Sequence, residues 1–230
     1  MTVLAVVPTS RELEALTGFL AEWGHEVGEL RAGRLSVKEY AAGRLLVAPG
    51  GLGKVQFGLH TQHLLDNLAC VNLVVCAGTA GGLSPDLGVG DVVVAVTTIE
   101  HDFNTAMFEN PPPSFDGDET AIVALKTALG GMPLGFAVRF GPVISRDEDI
   151  VQSARAEEIH RSTGALATAW EGAGGARASR FCEIPFLEVR GISDGANEST
   201  PDEFVKNVPI AMKSVATVLG MLAGLRRDRR

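Results

Sequence analysis

Leu73-Val74-Val75-Cys76-Ala77-Gly78-Thr79-Ala80-Gly81-Gly82-Leu83 begins with a run that is apolar at every position and then breaks into glycine and small residues. A strand with one wet face alternates apolar and polar side chains, whereas a strand covered on both faces does not. The turn-rich stretch that includes Ala77 to Leu83 separates this run from Val92 to Val96, which is equally apolar. Two such strands predict a mostly parallel sheet with helices on both faces.

The same pattern extends outward. Val3 to Val7 is a β-branched run followed by Pro8-Thr9-Ser10 and by Leu13, Leu16, Phe19 and Leu20 at helical spacing. Leu45 to Ala48 ends at Pro49-Gly50-Gly51-Leu52-Gly53-Lys54, after which Val55, Leu59, His63 and Leu64 suit one helix face. Phe136 to Val138, Pro142 to Ile144 and Phe186 to Arg190 read as further strand pieces, and a closing helix is predicted from Pro209 to Leu225. The fold expected is α/β: a single three-layer domain over residues 1–230, with a mixed, mostly parallel central sheet flanked by helices. The Pro-rich stretch Glu109 to Ser114 is too short to link domains and reads as a stiff loop.

Composition narrows the partners. A chain of 230 residues can bury about 70% of its unfolded surface around one core, without disulfides or a structural metal. Its formal charge of −8 opposes nucleic acid, whose affinity comes from cations that displace phosphate counterions. The basic cluster Arg226 to Arg230 reads as a solvated tail. Cys70, Cys76 and Cys182 form no C-x-x-C pair, and Cys76 ends an apolar run as a small hydrophobe. No basic leader precedes the short run at Val3 and the apolar runs are strand-sized, so a cytoplasmic protein without membrane contact is expected.

Several familiar constellations fail on spacing. Gly50-Gly51-Leu52-Gly53-Lys54-Val55 has neither the first glycine nor the Ser/Thr of an NTPase loop, and Gly78 to Leu83 and Gly172-Ala173-Gly174-Gly175 lack dinucleotide-fingerprint spacing. His60 and His63 share a helix face without a third ligand nearby. His101-Asp102 is either an acid/base pair or a loop cap. No metal and no cofactor are therefore expected. Three acids stand near strand or helix edges: Glu12, Glu171 in Ala169-Trp170-Glu171-Gly172, and Asp194 in Arg190-Gly191-Ile192-Ser193-Asp194.

Those acids and glycine loops occur in an order that resembles the nucleoside phosphorylase superfamily, and within it the nucleosidases of methylthioadenosine and adenosylhomocysteine. The resemblance runs through Glu12, Gly51 to Val55, Ala77 to Leu83, Gly90-Asp91-Val92-Val93-Val94, His101-Asp102, Trp170-Glu171-Gly172 and Arg190 to Asp194. It implies that Glu12 is the base for an attacking water, with Thr79, Gly81 and Arg190 around the reacting groups. It implies that Glu171 accepts from the ribose hydroxyls beside Trp170, and that Asp194, oriented by Ser193, serves purine N7. Asp149 and Ile150 fall in the base pocket, and Phe108 falls where the family lines the neighbouring subunit's 5′ pocket, which implies a homodimer.

The chemistry explains the residue set. Breaking an N-glycosidic bond builds positive charge on the sugar and negative charge on the base, so carboxylate and acid belong at opposite ends. One positioned acid or base contributes about 10²–10⁴-fold. An aspartic side chain in water is ionised at neutral pH, so the acid role requires that Asp194 be taken out of water. Pro8-Thr9-Ser10 lacks the glycine-rich phosphate turn of the superfamily's phosphorylases, and Gly78 to Gly82 carries no arginine, which favours water over phosphate as nucleophile.

Three positions depart from the family pattern. Asp149 stands where an aromatic residue stacks on adenine, Trp170 replaces a smaller residue, and Glu14 competes with Glu12 for the role of base. Expectations that stay open are a futalosine-type hydrolase, a nucleoside phosphorylase, and a silent nucleoside-binding module.

Overall fold

The computed structural model describes residues 1–23, 27–103, 107, 110–130 and 133–225. Along these, the chain runs β1 (Val3–Val7), α1 (Ser10–Glu22), β2 (Val27–Ala32), β3 (Leu35–Tyr40), β4 (Leu45–Pro49), α2 (Gly53–Asn67), β5 (Leu73–Gly82) and β6 (Val92–Glu100). It continues through β7 (Ser114–Asp116), α3 (Glu119–Leu129), β8 (Val138–Ser145), α4 (Ser153–Thr163), β9 (Ala167–Ala169), α5 (Gly172–Phe181), β10 (Phe186–Asp194) and α6 (Thr200–Leu222).

The sheet is mixed, as expected. β1 lies between β4 and β5, parallel to both, and the hairpin β2–β3 extends the β4 edge antiparallel. At the other end the strands close on themselves: β5 pairs with β9, β9 with β8, β8 with β6, β6 with β10, and β10 returns to β5. This ring brings the ends of β5, β8, β9 and β10 around a common point.

Burial on both faces accounts for the continuous apolar strands. Val3, Ala5 and Val7 enter one core with Leu16 and Leu20 of α1 and Val215 and Leu219 of α6. The intervening Leu4 and Val6 enter a second core with Phe57 and Leu64 of α2 and Ala173 and Ala176 of α5.

Four local expectations change. β5 does not stop at Cys76 but runs on to Gly82, because its glycines serve close approach rather than a turn. A β-carbon on Gly78 would lie 2.8 Å from Arg190 Nη1, 3.0 Å from Glu12 Oε1 and 3.0 Å from Pro8 Cδ. Phe136 to Val138 and Pro142 to Ile144 are not two strands: β8 is continuous from Val138, with Pro142 taken up at a register shift against β6. The buried face of α2 is Phe57, Thr61, Leu64 and Leu65, whereas Val55 and Leu59 are 74% and 65% exposed. Finally, α6 starts at Thr200 with Pro201 in its first turn and carries Pro209 in its interior.

Candidate active site

The end of β1 delivers the first acid. Thr9 caps α1, and Glu12, three residues on, completes a capping box in which each side chain meets the other's backbone N–H. Glu12 does more than cap. Its Oε2 accepts from Thr9 N (3.0 Å) and Thr9 Oγ1 (2.6 Å), and its Oε1 accepts from Thr79 N (2.6 Å) and Thr79 Oγ1 (2.8 Å). It is 2% exposed and lines a cavity of about 460 Å³. Glu14 is exposed and is not among the residues that line that cavity.

Arg190 organises the floor. This guanidinium is 1% exposed and donates from Nε to Glu188 Oε1 (2.8 Å), from Nη1 to the Thr79 carbonyl (3.2 Å), and from Nη2 to Glu171 Oε2 (3.1 Å) and Cys76 Sγ (3.2 Å). Burial disfavours its charge, but the Glu188 and Glu171 carboxylates outweigh that and hold it well above its ordinary range. Cys76 is therefore a hydrogen-bond acceptor as well as a small hydrophobe, and burial pushes its thiol well up. Glu171 Oε1 also accepts from Gly53 N (3.2 Å) at the start of α2, where positive φ at Gly51 (82°) and Gly53 (79°) requires glycine. Burial, reinforced by the nearby Glu12 charge and opposed by Arg190, raises the Glu171 pKa.

The end of β10 supplies the third acid. Asp194 is 4% exposed. Its Oδ1 accepts from Ala196 N (3.0 Å) and Thr200 Oγ1 (2.9 Å), and its Oδ2 accepts from Ser193 Oγ (2.8 Å). Two donors thus occupy Oδ1 and one occupies Oδ2. Gly81, Asp149, Ile150 and Trp170 line the same cavity, with Ile150 buried and Asp149 exposed at its edge.

All the sequence-predicted site residues within the described part of the chain thus converge on one cavity; Phe108 lies outside the described residues. Sequence reasoning missed Thr9, Thr98 and Glu188. Thr98 Oγ1 donates to Glu188 Oε2 (2.5 Å), so the second oxygen of that fully buried carboxylate is also satisfied. A signal existed, since residues two apart on a strand share a face and Glu188 and Arg190 interrupt an otherwise apolar run.

Other candidates lie elsewhere. Asp102 binds Lys54 and accepts from Asp147 N (3.0 Å), and His101 Nδ1 meets Arg146 Nη1 (3.2 Å), so this pair braces loops rather than entering the cavity. His63 Nε2 accepts from Arg34 N (2.9 Å). Among the described residues, no group of three His, Cys, Asp or Glu side chains is placed to hold a metal ion.

Chemically, the cavity offers a carboxylate beside a clamped arginine at one end and a buried aspartate at the other. Gly78 is where that packing is tightest. Gly78→Ala is expected to cost about 1–3 kcal/mol of stability, because the groups its methyl would strike are pinned by hydrogen bonds. Urea unfolding measures this, and an unchanged midpoint would contradict it.

Comparison with known proteins places these residues in context. A model described as Phosphorylase superfamily matches residues 2–223. The 5′-methylthioadenosine/S-adenosylhomocysteine nucleosidase of Thermotoga maritima is 33% identical over 190 residues, covering 79% of this chain and 82% of that protein. The nucleosidase of the same name from Actinobacillus succinogenes is 30% identical, covering 98% and 100%. Among solved structures, that of the Neisseria meningitidis nucleosidase in complex with methylthio-immucillin-A superposes with a TM-score of 0.84 at 28% identity, covering 96% of this chain and 97% of that one. The futalosine hydrolase of Helicobacter pylori shares the fold, with a TM-score of 0.84 at 22% identity and 97% coverage of both chains.

Proposed function

The chain belongs to the phosphorylase superfamily, and from that premise we propose that it is a purine nucleosidase, an N-glycosyl hydrolase acting on a 5′-modified nucleoside such as methylthioadenosine or adenosylhomocysteine. The observation that carries this reading is the convergence of Glu12, Glu171 and Asp194, all buried, on one cavity whose arginine, Arg190, pairs with Glu171. One nucleoside phosphorylase-like domain over residues 1–230 then performs the whole reaction.

In the proposed mechanism, Glu171 accepts from the ribose hydroxyls with its remaining lone pairs, because Arg190 and Gly53 N already fix its orientation. Trp170 packs beside the sugar. Asp194 delivers its proton to purine N7 as the C1′–N9 electron pair moves onto the base, so a neutral purine leaves. Glu12 takes a proton from water, which adds to C1′. Each Glu12 oxygen receives one N–H and one O–H donor, and the two N–H donors hold the carboxylate in one orientation beside Thr79. Glu12 therefore takes the water's proton only as the Thr9 or Thr79 hydroxyl turns its own proton away.

The charges favour water over phosphate. Arg190 is the one lysine or arginine lining the cavity among the described residues, and its guanidinium is already shared between Glu188 and Glu171. A phosphate dianion there would face the Glu12 and Glu171 carboxylates without a free cation. A futalosine-type substrate is the second reading, favoured by Asp149, whose exposed carboxylate stands where the resemblance calls for an aromatic residue on adenine.

Release of free purine from methylthioadenosine, adenosylhomocysteine, inosine and futalosine tests the assignment. Rapid release from either of the first two is expected; cleavage of futalosine alone would move the enzyme to the second reading, and cleavage of none would overturn it.

Acidity provides another check. Glu171 must be ionised to accept from two hydroxyls, and its pKa lies above the ordinary 4.5. The acid limb of kcat/KM is therefore expected to bend above pH 4.5 and to lose that bend in Glu171→Gln; a limb at or below 4.5 would contradict the assignment. For stability the sign runs the other way. A raised folded-state pKa means that the folded chain binds the extra proton, so this group's contribution is full below 4.5 and is lost as pH rises through the shifted value.

The enzyme is proposed to be a cytoplasmic homodimer serving methionine salvage. Leu52, Val55 and Leu59 form an exposed apolar stripe at the start of α2, and Leu52 also lines the cavity. A second copy seated there would close the cavity rim. Val55→Glu with Leu59→Glu is expected to yield a monomer by light scattering and to raise KM; an unchanged dimer would place the interface elsewhere. Among the described residues no helix is long and apolar enough to cross a membrane.

A further inference from the structure

Two buried carboxylates share the Arg190 guanidinium. An arginine beside one carboxylate commonly grips it with two parallel N–H bonds. Arg190 instead gives each of its two acids a single bond: Nε donates to Glu188 Oε1 at 2.8 Å and Nη2 donates to Glu171 Oε2 at 3.1 Å. Glu171 lines the cavity, but Glu188 is fully buried and is not among the lining residues, so it meets the cavity only through Arg190. Its place is built from two sides. Thr98 Oγ1 donates to Oε2 at 2.5 Å, and Gly172 leaves the room, because a β-carbon there would overlap both carboxylate oxygens.

The division decides how many acceptor sites Glu171 keeps. A carboxylate has about four lone-pair sites. Gly53 N takes one on Oε1 and Arg190 Nη2 takes one on Oε2, which leaves one open on each oxygen. We infer that Glu188 is a positioning residue for the ribose-binding carboxylate: by taking Nε of Arg190 it keeps the guanidinium from gripping Glu171 twice, so both Glu171 oxygens stay open to the ribose hydroxyls. This inference rests on the nucleosidase reading above.

Without Glu188 the buried Nε–H has no acceptor, a cost that turning the guanidinium onto both oxygens of Glu171 removes. Oε1 already accepts from Gly53 N, so its second lone pair is then filled and one ribose hydroxyl loses its partner. The guanidinium charge also falls on Glu171 alone, so that its carboxyl ionises at lower pH. The other groups acting on Glu171 are Glu12 from α1 and Gly53 N from α2, and neither is altered by the substitution.

The test measures kcat/KM against pH for wild type, Glu188→Leu and Glu188→Gln on whichever nucleoside of the panel is cleaved fastest, with thermal unfolding as a control. Glu188→Leu is expected to lose about tenfold at neutral pH, the worth of about one hydrogen bond, and its acid limb is expected to bend at lower pH than that of wild type. Glu188→Gln keeps an oxygen for Nε and is expected to stay within about threefold at neutral pH, while its limb also moves down because the charge is gone. A residue that only supports the fold would lower the melting temperature and leave the limb in place. Should Glu188→Leu fail to fold, the limb of Glu188→Gln decides. Cleavage by Glu188→Leu within about twofold of wild type, a limb that stays in place in either folded variant, or a Glu188→Gln as slow as Glu188→Leu would overturn the inference and leave the nucleosidase reading standing. A wild type that releases no base from any nucleoside would overturn both.

Discussion

Asp194→Asn is expected to lower kcat by about 10²–10⁴-fold, the contribution of one positioned acid, with little change in KM or in melting temperature. Asparagine preserves the shape of the side chain, and its Oδ1 can still accept from Ala196 N and Thr200 Oγ1, which hold the native Oδ1. What it cannot do is carry a transferable proton on the atom that faces Ser193 Oγ. The base must then depart as an anion, and that deficit belongs to the transition state rather than to substrate binding. Single-turnover purine release measures it. A loss of less than about tenfold would mean that another group protonates the base.

Arg190→Met is expected to have the largest effect on stability. Among the described residues the guanidinium is the only ion-pair partner of Glu188, which is fully buried, and of Glu171, which is nearly so. Removing one partner of a buried pair strands the other charge and costs about 3–5 kcal/mol. For a chain of this size each kcal/mol moves the melting temperature by about 2–4 °C, so a fall on the order of 10 °C is expected. Adding Glu188→Gln should recover part of it, because the stranded charge is removed while Thr98 Oγ1 keeps an acceptor. A single variant as stable as wild type, or a double variant worse than the single, would show that the carboxylates are already neutral in the folded protein.

The fold was legible where both faces of a strand are buried. β1, the first half of β5 and the first half of β6 are uninterrupted apolar runs because each alternate side chain enters a separate core. Reading failed where glycine marked contact rather than a turn. α5 opens Gly172-Ala173-Gly174-Gly175 and is nevertheless helical. A β-carbon on Gly172 would lie 2.2 Å from Glu188 Oε2, and one on Gly174 would lie 2.1 Å from the Lys54 carbonyl. These glycines let Glu188 and α2 approach, which no local propensity encodes. Val55 and Leu59 misled for the opposite reason: they are apolar and helically spaced, yet they face outward on α2.

For the site, the three acids and their chain order were legible, but the wiring between them was not. Glu12 and Thr79 stand 67 residues apart, and Arg190 and Cys76 114 apart. Only the parallel pairing of β1, β5 and β10 brings those residues into register.

The central claim is that water, not phosphate, attacks C1′. The most direct measurement incubates the enzyme with methylthioadenosine in phosphate buffer made in ¹⁸O-enriched water and identifies the sugar product by mass spectrometry. The account predicts adenine together with free methylthioribose in either the presence or absence of phosphate, with the ¹⁸O label at C1 in quenched samples. A sugar 1-phosphate that forms only when phosphate is present would contradict it.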